Sequence, residues 1–141
     1  MPYRFDQTMF KTVLFPLDAS PEAQHAALTA INLVKYHQSR LVLLSVVEDG
    51  TDAGRPEQAS VEVVAQLLEK AQAIFQDQGI EAETIEREGK PAFVICDVAD
   101  EVSADLIVIG CRGVGLTEEG STESVSNRVI NLAPCPVLVV P

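Results

Sequence analysis

Short apolar runs alternate with longer amphipathic stretches along the chain. Four of the runs are continuous and rich in Val, Ile and Leu: residues 12–17, 40–47, 106–109 and 136–140. Strands that are apolar on both sides are typical of parallel sheets with helices on both faces. A fifth run, over residues 82–87, contains more polar residues, and we expect it to form an edge strand.

The segments between these runs have the spacing of amphipathic helices. Ser20 followed by Pro21 predicts an N-cap and the first position of a helix. Gly79 predicts the end of a second helix, Pro91 the start of a third and Ser124 the start of a fourth. The positions predicted to face the core are Ala26, Ala27, Ala30, Ile31, Val34, Val64, Leu67, Leu68, Ala71, Phe75, Val94, Ile95, Val98, Ala99, Val125, Val129 and Leu132. The alternation predicts an α/β fold, an open, doubly wound, five-stranded parallel sheet with helices on both faces.

The length of 141 residues suits one domain, over residues 1–141. Residues 1–10 carry charge before any apolar run, and we expect them to be an N-terminal extension. Residues 48–60 (EDGTDAGRPEQAS) are rich in Gly and acidic residues and are predicted to be a mobile surface loop. The sequence contains no internal repeat, so it gives no sign of a second domain.

Charge and cysteine content exclude several classes of protein. Lys and Arg total 10 against 21 Asp and Glu, which gives a formal net charge of −11. This balance argues against a nucleic-acid-binding surface and against an anionic membrane surface, since both require clustered basic residues. No apolar run approaches the roughly 18 residues of a membrane span. Cys96, Cys111 and Cys135 are odd in number and lack CxxC spacing, so we expect no disulfide framework, no thiolate zinc site and a reducing, cytoplasmic location.

Candidate chemistry lies where two of the predicted strands end. In an open α/β sheet, ligands bind beyond the carboxyl ends of the strands, where the strand order reverses. The first strand runs into PLDAS (residues 16–20) and the fourth into IGCRG (residues 109–113). Glycines there allow backbone N–H groups to approach an anion, although they also serve simply to build turns. No Ser-His-Asp set, carboxylate dyad or metal-ligand cluster is visible, so neither a catalytic residue nor a metal site is predicted.

Three segments resemble the universal stress protein family: VLFPLDAS (residues 13–20), ADLIVIGCRGVG (residues 104–115) and SVSNRVINLAPCPVLVVP (residues 124–141). Gly89-Lys90-Pro91 also fits, and the resemblance spans nearly the whole chain. It implies the adenine-nucleotide alpha hydrolase-like fold with strand order 3-2-1-4-5. It also implies a regulatory stress-response protein that is not an enzyme, with an unidentified protein partner, and a homodimer formed through the last strand, from Pro136 to Val140.

The nucleotide-binding branch of that family has the pattern G-x2-G-x9-G-[S/T] after the fourth strand. Gly110, Gly113 and Ser124 match it, whereas Glu123 stands where the family has glycine, and Gly120 with the following serine forms an offset copy. The resemblance implies that ATP, ADP or AMP binds, with or without Mg²⁺. The residues implied in binding are Pro16, Leu17, Asp18, Val46, Ile109, Gly110, Arg112, Gly113, Ser124 and Val125.

Several of these residues have a second interpretation that sequence leaves open. Asp18 and Ser124 are also suited to capping helices, and Val46 to packing in the core. Arg112 is either a phosphate ligand or a solvated surface residue, and Cys111 either a redox sensor or an inert small side chain. Glu123 favours an alternative function, a stress-response scaffold that acts through protein contacts without a nucleotide. Slow ATP hydrolysis is the weakest hypothesis, because no water-positioning residue can be named.

Overall fold

The computed structural model describes residues 9–18, 20–47, 61–111 and 125–141. Strands and helices alternate in the order β1 (Thr12–Pro16), α1 (Pro21–His37), β2 (Arg40–Val47), α2 (Val61–Asp77), β3 (Ala82–Glu88), α3 (Pro91–Glu101), β4 (Leu106–Gly110), α4 (Val125–Leu132) and β5 (Val137–Val140). They form a five-stranded sheet of order β3-β2-β1-β4-β5, and every neighbouring pair is parallel. The predicted fold and strand order are therefore confirmed. Residues 1–8 of the predicted extension and the predicted loop over 48–60 lie outside the described residues.

Two helices cover each face of the sheet. Because alternate residues of a strand point to opposite faces, each strand contributes side chains to two separate core clusters. Val13 and Phe15 pack with α1 and α2 on one face, which we call the α1/α2 face. Leu14, Ile107 and Ile109 pack with α3 and α4 on the other, the α3/α4 face. Both clusters are apolar, and apart from Ala82 of β3 their buried strand residues come from β1, β2 and β4, which the sequence predicts to be apolar on both sides. Among the described residues, none of the helices is long and apolar enough to cross a membrane.

Two helix ends follow the sequence signals closely. The Ser20 hydroxyl accepts a hydrogen bond from the Ala23 backbone N–H at 3.2 Å, and Pro21 occupies the first position of α1. Gly79 follows α2 with φ +80°, a left-handed conformation that glycine adopts without steric cost. The predicted cap and the predicted helix end are confirmed.

The predicted inward face of α4 is wrong at its two ends. Val129 is fully buried, but Val125 is 42% exposed and Leu132 is 49% exposed. The helix is only eight residues long and packs beside α3 near the edge of the sheet, so a single turn of it reaches the core. Val129 alone is therefore the buried anchor of this helix.

The amino end of the sheet is closed by hydrogen bonds between neighbouring segments. The Thr12 N–H donates to the Asp105 carboxylate at 2.9 Å, and the Asp105 N–H donates to the Thr12 carbonyl at 2.7 Å. The Ser39 hydroxyl donates to the Phe10 carbonyl at 2.5 Å. Phe10 also packs against the α1/α2-face cluster. The last residue of the predicted N-terminal extension is thus part of the packed structure.

The two edge strands differ in chemistry. β3 is largely exposed and charged, as predicted for an edge, with Glu83 and Arg87 held in ion pairs by Arg40 and Glu101. The Gln72 side-chain amide donates to the outward-facing Ala82 carbonyl at 2.8 Å. β5 is only four residues long and entirely apolar. The β3 edge is therefore covered by polar side chains, and the β5 edge is not.

Candidate functional site

The candidate site lies at the carboxyl ends of β1 and β4, where the strand order reverses. Leu14 of β1 lies opposite Ile107 of β4, so the parallel register brings Pro16 beside Ile109. The helix that follows β1 is α1, which packs on the α1/α2 face. The helix that follows β4 is α4, which packs on the α3/α4 face. The helices that follow β1 and β4 therefore pack on opposite faces, and in open α/β sheets this reversal of strand order is where a ligand crevice lies.

A set of hydrogen bonds fixes the turn from β1 into α1. The Leu17 N–H donates to the Leu44 carbonyl at 2.9 Å, and the Leu17 carbonyl accepts from the Ser45 hydroxyl at 3.0 Å. The Asp18 carboxylate accepts from the Ser20 N–H at 3.0 Å and from the Ser20 hydroxyl at 2.5 Å. Ser20 in turn caps α1. Of the two roles considered for Asp18, helix capping therefore falls to Ser20, and Asp18 supports that cap from an exposed position at the rim of the crevice.

Packing requires glycine at position 110, whether or not a ligand is bound. A Cβ atom built on this residue would lie 2.5 Å from the carbonyl oxygen of Glu22, in the first turn of α1, and 2.9 Å from the carbonyl carbon. Distances this short to backbone atoms cannot be relieved by rotating a side chain. Glycine at this position therefore allows the end of β4 to approach the start of α1.

Apolar side chains line the crevice on its α3/α4 face. Pro16 is buried and points to the same face as Leu14. Val46 is half-buried and packs against the α3/α4-face cluster, as expected for a strand residue with a core role. Ile109 is only 6% exposed and belongs to the cluster itself. An apolar wall beside an exposed carboxylate suits a flat heterocycle that carries hydrogen-bond donors on its edge.

The structure brings together some of the binding residues that the family resemblance implies. Pro16, Asp18 and Gly110 meet at the carboxyl ends of adjacent strands, with Leu17 and Val46 beside them. The residues implied to contact phosphates are Arg112, Gly113 and Ser124, which lie outside the described residues together with Glu123. Val125 is the first residue of α4 and is exposed. The described part of the implied set is thus an exposed carboxylate, a glycine and apolar side chains at neighbouring strand ends.

All three cysteines are free and half-buried. The Cys111 N–H donates to the Val140 carbonyl at 2.8 Å and continues the β4–β5 ladder. Burial raises the pKa of the Cys96 and Cys135 thiols, and the nearby Asp97 and Asp105 carboxylates raise them further. Both changes reduce the thiolate fraction and thus the reactivity of these two side chains. Within the described ranges, no group of three or more His, Cys, Asp or Glu residues could hold a metal ion.

Ser45 is a buried polar residue beside the candidate site that the sequence motifs do not single out. It is 3% exposed and interrupts the otherwise apolar interior of β2. A lone serine within a run of Leu and Val is the signal that could have found it, because a buried hydroxyl needs a hydrogen-bond partner. Its partner, the Leu17 carbonyl, lies in the turn from β1 into α1.

Comparison with known proteins decides the family. A model of the universal stress protein family matches residues 9–141. This chain belongs to the universal stress protein family. The universal stress protein Sll1654 of Synechocystis sp. is 65% identical over 136 residues, which cover 94% of this chain and 87% of that protein. Members of the family are stress-response proteins, and the recognition made from the sequence motifs is confirmed.

Solved structures of universal stress proteins share the fold. The universal stress protein UspA of Lactobacillus plantarum has 28% identity and a TM-score of 0.78, with 96% of this chain and all of that chain covered (100%). An Arabidopsis thaliana member with AMP bound has 23% identity and a TM-score of 0.72, and the match covers 92% of this chain and 90% of that chain. Members in complex with dAMP, from Archaeoglobus fulgidus, and with cAMP have TM-scores of 0.73 and 0.75 at 23% and 20% identity.

Proposed function

We propose that this universal stress protein binds an adenine nucleotide, AMP, ADP or ATP, at the carboxyl ends of β1 and β4. It acts in the cytoplasm as a regulatory binding protein and not as an enzyme, and residues 1–141 form one domain. The observation that carries the proposal is the crevice at the reversal of strand order, where the exposed Asp18 carboxylate stands beside the apolar side chains of Pro16 and Val46. The structural neighbours whose ligands are AMP, dAMP and cAMP support adenine as the base.

The proposed contacts divide the nucleotide into three parts. Asp18 and the backbone around Val46 bracket the adenine, whose exocyclic amino group is a donor for a carboxylate. Pro16 and Gly110 lie near the ribose. The phosphates face the connection after β4, where the contacts come from Arg112, Gly113, Ser124 and Val125. A divalent ion such as Mg²⁺, when present, would be held by phosphate oxygens.

Calorimetric titration with AMP, ADP and ATP tests the proposal. We expect one nucleotide per chain, and we expect Asp18→Ala to weaken AMP binding about tenfold, since a hydrogen bond to a charged group is lost. Asp77→Ala, at the exposed end of α2, is the control and leaves the affinity unchanged. Absence of heat with all three nucleotides would contradict the proposal and favour the scaffold that acts through protein contacts.

Glu123→Gly tests the phosphate end of the same site. If Glu123 occupies the family's glycine position, its charge repels the phosphates, and the penalty grows with their number. In EDTA, we therefore expect the variant to bind ATP about tenfold more tightly, with a smaller gain for AMP. Equal ATP affinities would mean that Glu123 points away from the site or that Gly120 and the following serine form the phosphate contact.

We propose, in addition, a homodimer in which β5 pairs with β5 of a second copy. The Ile107 and Cys111 N–H groups donate to the Pro136 and Val140 carbonyls, so the backbone groups of Pro136 and Val140 point toward β4. Backbone groups of successive residues in a parallel strand point to alternate sides, and those of Val137 and Val139 therefore face the open edge. A bare apolar edge of this kind promotes association.

Removal of an outward-facing N–H tests this interface. Val139→Pro deletes one such donor without touching the β4–β5 ladder, and we expect light scattering to give the monomer mass for the variant at micromolar concentrations. Glu86→Pro is the matched control, because the backbone of Glu86 faces the open edge of β3. It should leave the dimer intact. A monomeric native chain would contradict the proposal.

A further inference from the structure

Ser45 is a buried hydroxyl in a strand that packing alone would fill with apolar residues. It lies on the α1/α2 side of β2, between Leu43 and Val47, both of which belong to the α1/α2-face cluster. Burial of a hydroxyl costs free energy unless it forms a hydrogen bond, and the Leu17 carbonyl provides that bond at 3.0 Å. The hydroxyl thus joins the interior of β2 to the turn at the crevice.

The bond from Ser45 holds a residue that would otherwise be fixed on one side only. Leu17 lies one residue beyond the end of β1, and its N–H is bonded to the Leu44 carbonyl at 2.9 Å. With the hydroxyl in place, neighbouring residues of β2 hold both the N–H and the carbonyl of Leu17. Rotation of the Leu17–Asp18 peptide is then restricted, because the carbonyl that Ser45 binds belongs to that peptide.

The restriction passes directly to the Asp18 carboxylate. The backbone nitrogen of Asp18 belongs to the restricted Leu17–Asp18 peptide. The Asp18 carboxylate accepts hydrogen bonds from the Ser20 N–H and hydroxyl. Ser20 is tied to α1 through the Ala23 N–H. The carboxylate is therefore held between two anchored points, Ser45 on the sheet and the first turn of α1.

We propose that Ser45 is a positioning residue of the nucleotide site, acting through Leu17 to hold the Asp18 carboxylate in the orientation that binds adenine. This inference rests on the proposed function for its effect on affinity. Its effect on the turn itself is a property of the free protein and can be measured without any nucleotide.

The experiment compares Ser45→Ala with Ser39→Ala. Ser39 is the matched control, because its hydroxyl also donates to a backbone carbonyl, that of Phe10, but at the opposite end of the sheet. Hydrogen exchange of the free proteins is measured first. We expect the Leu17 and Ser20 amides to exchange about tenfold faster in Ser45→Ala and to be unchanged in Ser39→Ala.

AMP affinity is then measured by calorimetry at a temperature where every variant is fully folded. We expect Ser45→Ala to weaken binding about tenfold and Ser39→Ala to leave it unchanged. In an Asp18→Ala background, the Ser45 substitution should add less than about twofold, since two residues that act through one contact are not additive. Ser45→Cys, which retains a weak donor of similar size, should lie between the native chain and Ser45→Ala.

Three results would overturn the inference: unchanged exchange at Leu17 and Ser20, a full effect of Ser45→Ala in the Asp18→Ala background, or an equal loss of affinity in Ser39→Ala. The first is independent of nucleotide. If the native chain binds no nucleotide, the proposed function fails and Ser45 has no role in affinity, while the exchange measurement still decides whether it holds the turn.

Discussion

Hydrogen bonds join neighbouring segments at both ends of the sheet, but only the carboxyl end, among the described residues, also depends on a close backbone contact at a glycine and on a buried hydroxyl. Asp105 and Thr12 exchange two hydrogen bonds at the amino end. Gly110 against Glu22, and Ser45 beneath Leu17, define the carboxyl end. The contrast shows that the closed end contributes stability through paired groups, and the open end leaves the Asp18 carboxylate exposed for the proposed ligand.

The largest effect is expected at the carboxyl end. Gly110→Ala should lower the free energy of unfolding by about 2 kcal/mol, because the new methyl group forces the backbone of Glu22 to move. The first-turn amides of α1 should then exchange faster, while the Thr12 amide at the other end is unaffected. Chemical denaturation and hydrogen exchange measure the two effects.

Gly79→Ala separates crowding from conformational strain. Gly79 has φ +80°, but a Cβ there would meet no atom within 4 Å. This control should cost about 1 kcal/mol from the left-handed conformation alone. If Gly110→Ala costs no more than Gly79→Ala, the contact with α1 is looser than described.

A smaller effect is expected at the amino end. Asp105→Ala removes the acceptor of the Thr12 N–H and should cost about 1.5 kcal/mol, the range of a hydrogen bond to a charged group. Asp105→Asn keeps an oxygen acceptor and should recover most of that loss. AMP affinity should stay at its native value in both variants. A change in affinity would mean that the two ends are coupled through the sheet.

The smallest effect is expected at an exposed ion pair near the amino end. Arg40 donates to both carboxylate oxygens of Glu83, at 2.7 and 2.9 Å, and these hydrogen bonds outweigh desolvation and hold the pKa of Glu83 below its usual value. Both side chains are about half exposed (46% and 52%), so Arg40→Ala should cost no more than about 0.5 kcal/mol.

The pH dependence of this pair has a defined sign. Because the folded-state pKa of Glu83 is lowered, the pair contributes stability above the unfolded pKa of about 4.3 and loses it as the pH falls through the folded value. The difference between native chain and Arg40→Ala in urea denaturation should therefore be present at neutral pH and vanish in strong acid. Arg40 also donates to the Val102 carbonyl at 3.5 Å, and a difference that persists in acid would indicate that this second hydrogen bond carries the effect.

Much of the fold could be predicted because its signals are local. The apolar runs, the Ser20–Pro21 cap and the glycine at position 79 each depend on a few adjacent residues, and the structure confirms them. The exposed ends of α4 could not be predicted from its periodicity, since Val125 and Leu132 have the correct spacing for an inward face. Their exposure depends on how much of the sheet lies beneath a short helix, which is a property of the tertiary structure.

For the candidate site, the sequence predicts that Asp18 and Gly110 follow or end neighbouring strands, and the structure places them so, but the sequence does not predict their supporting contacts. Strand order and the carboxyl ends identify Asp18 and Gly110, whereas the reason for glycine at position 110 is a backbone atom of Glu22, far away in the sequence. In the same way, the partner of Ser45 is a carbonyl on another strand. Contacts of this kind follow from the packing of two elements, and no residue pattern within either element encodes them.

The unequal edges of the sheet set a limit on how many copies can join. Along β3, alternate backbone groups point outward, but Gln72 occupies the Ala82 carbonyl and charged side chains flank the rest of the strand. Only β5 offers an apolar strand with its outward groups unoccupied within the described ranges. A chain with one edge that is able to pair can bind one further copy through it. In the proposed homodimer each copy uses this edge, so assembly through β5 would stop at two copies and would not extend into a filament.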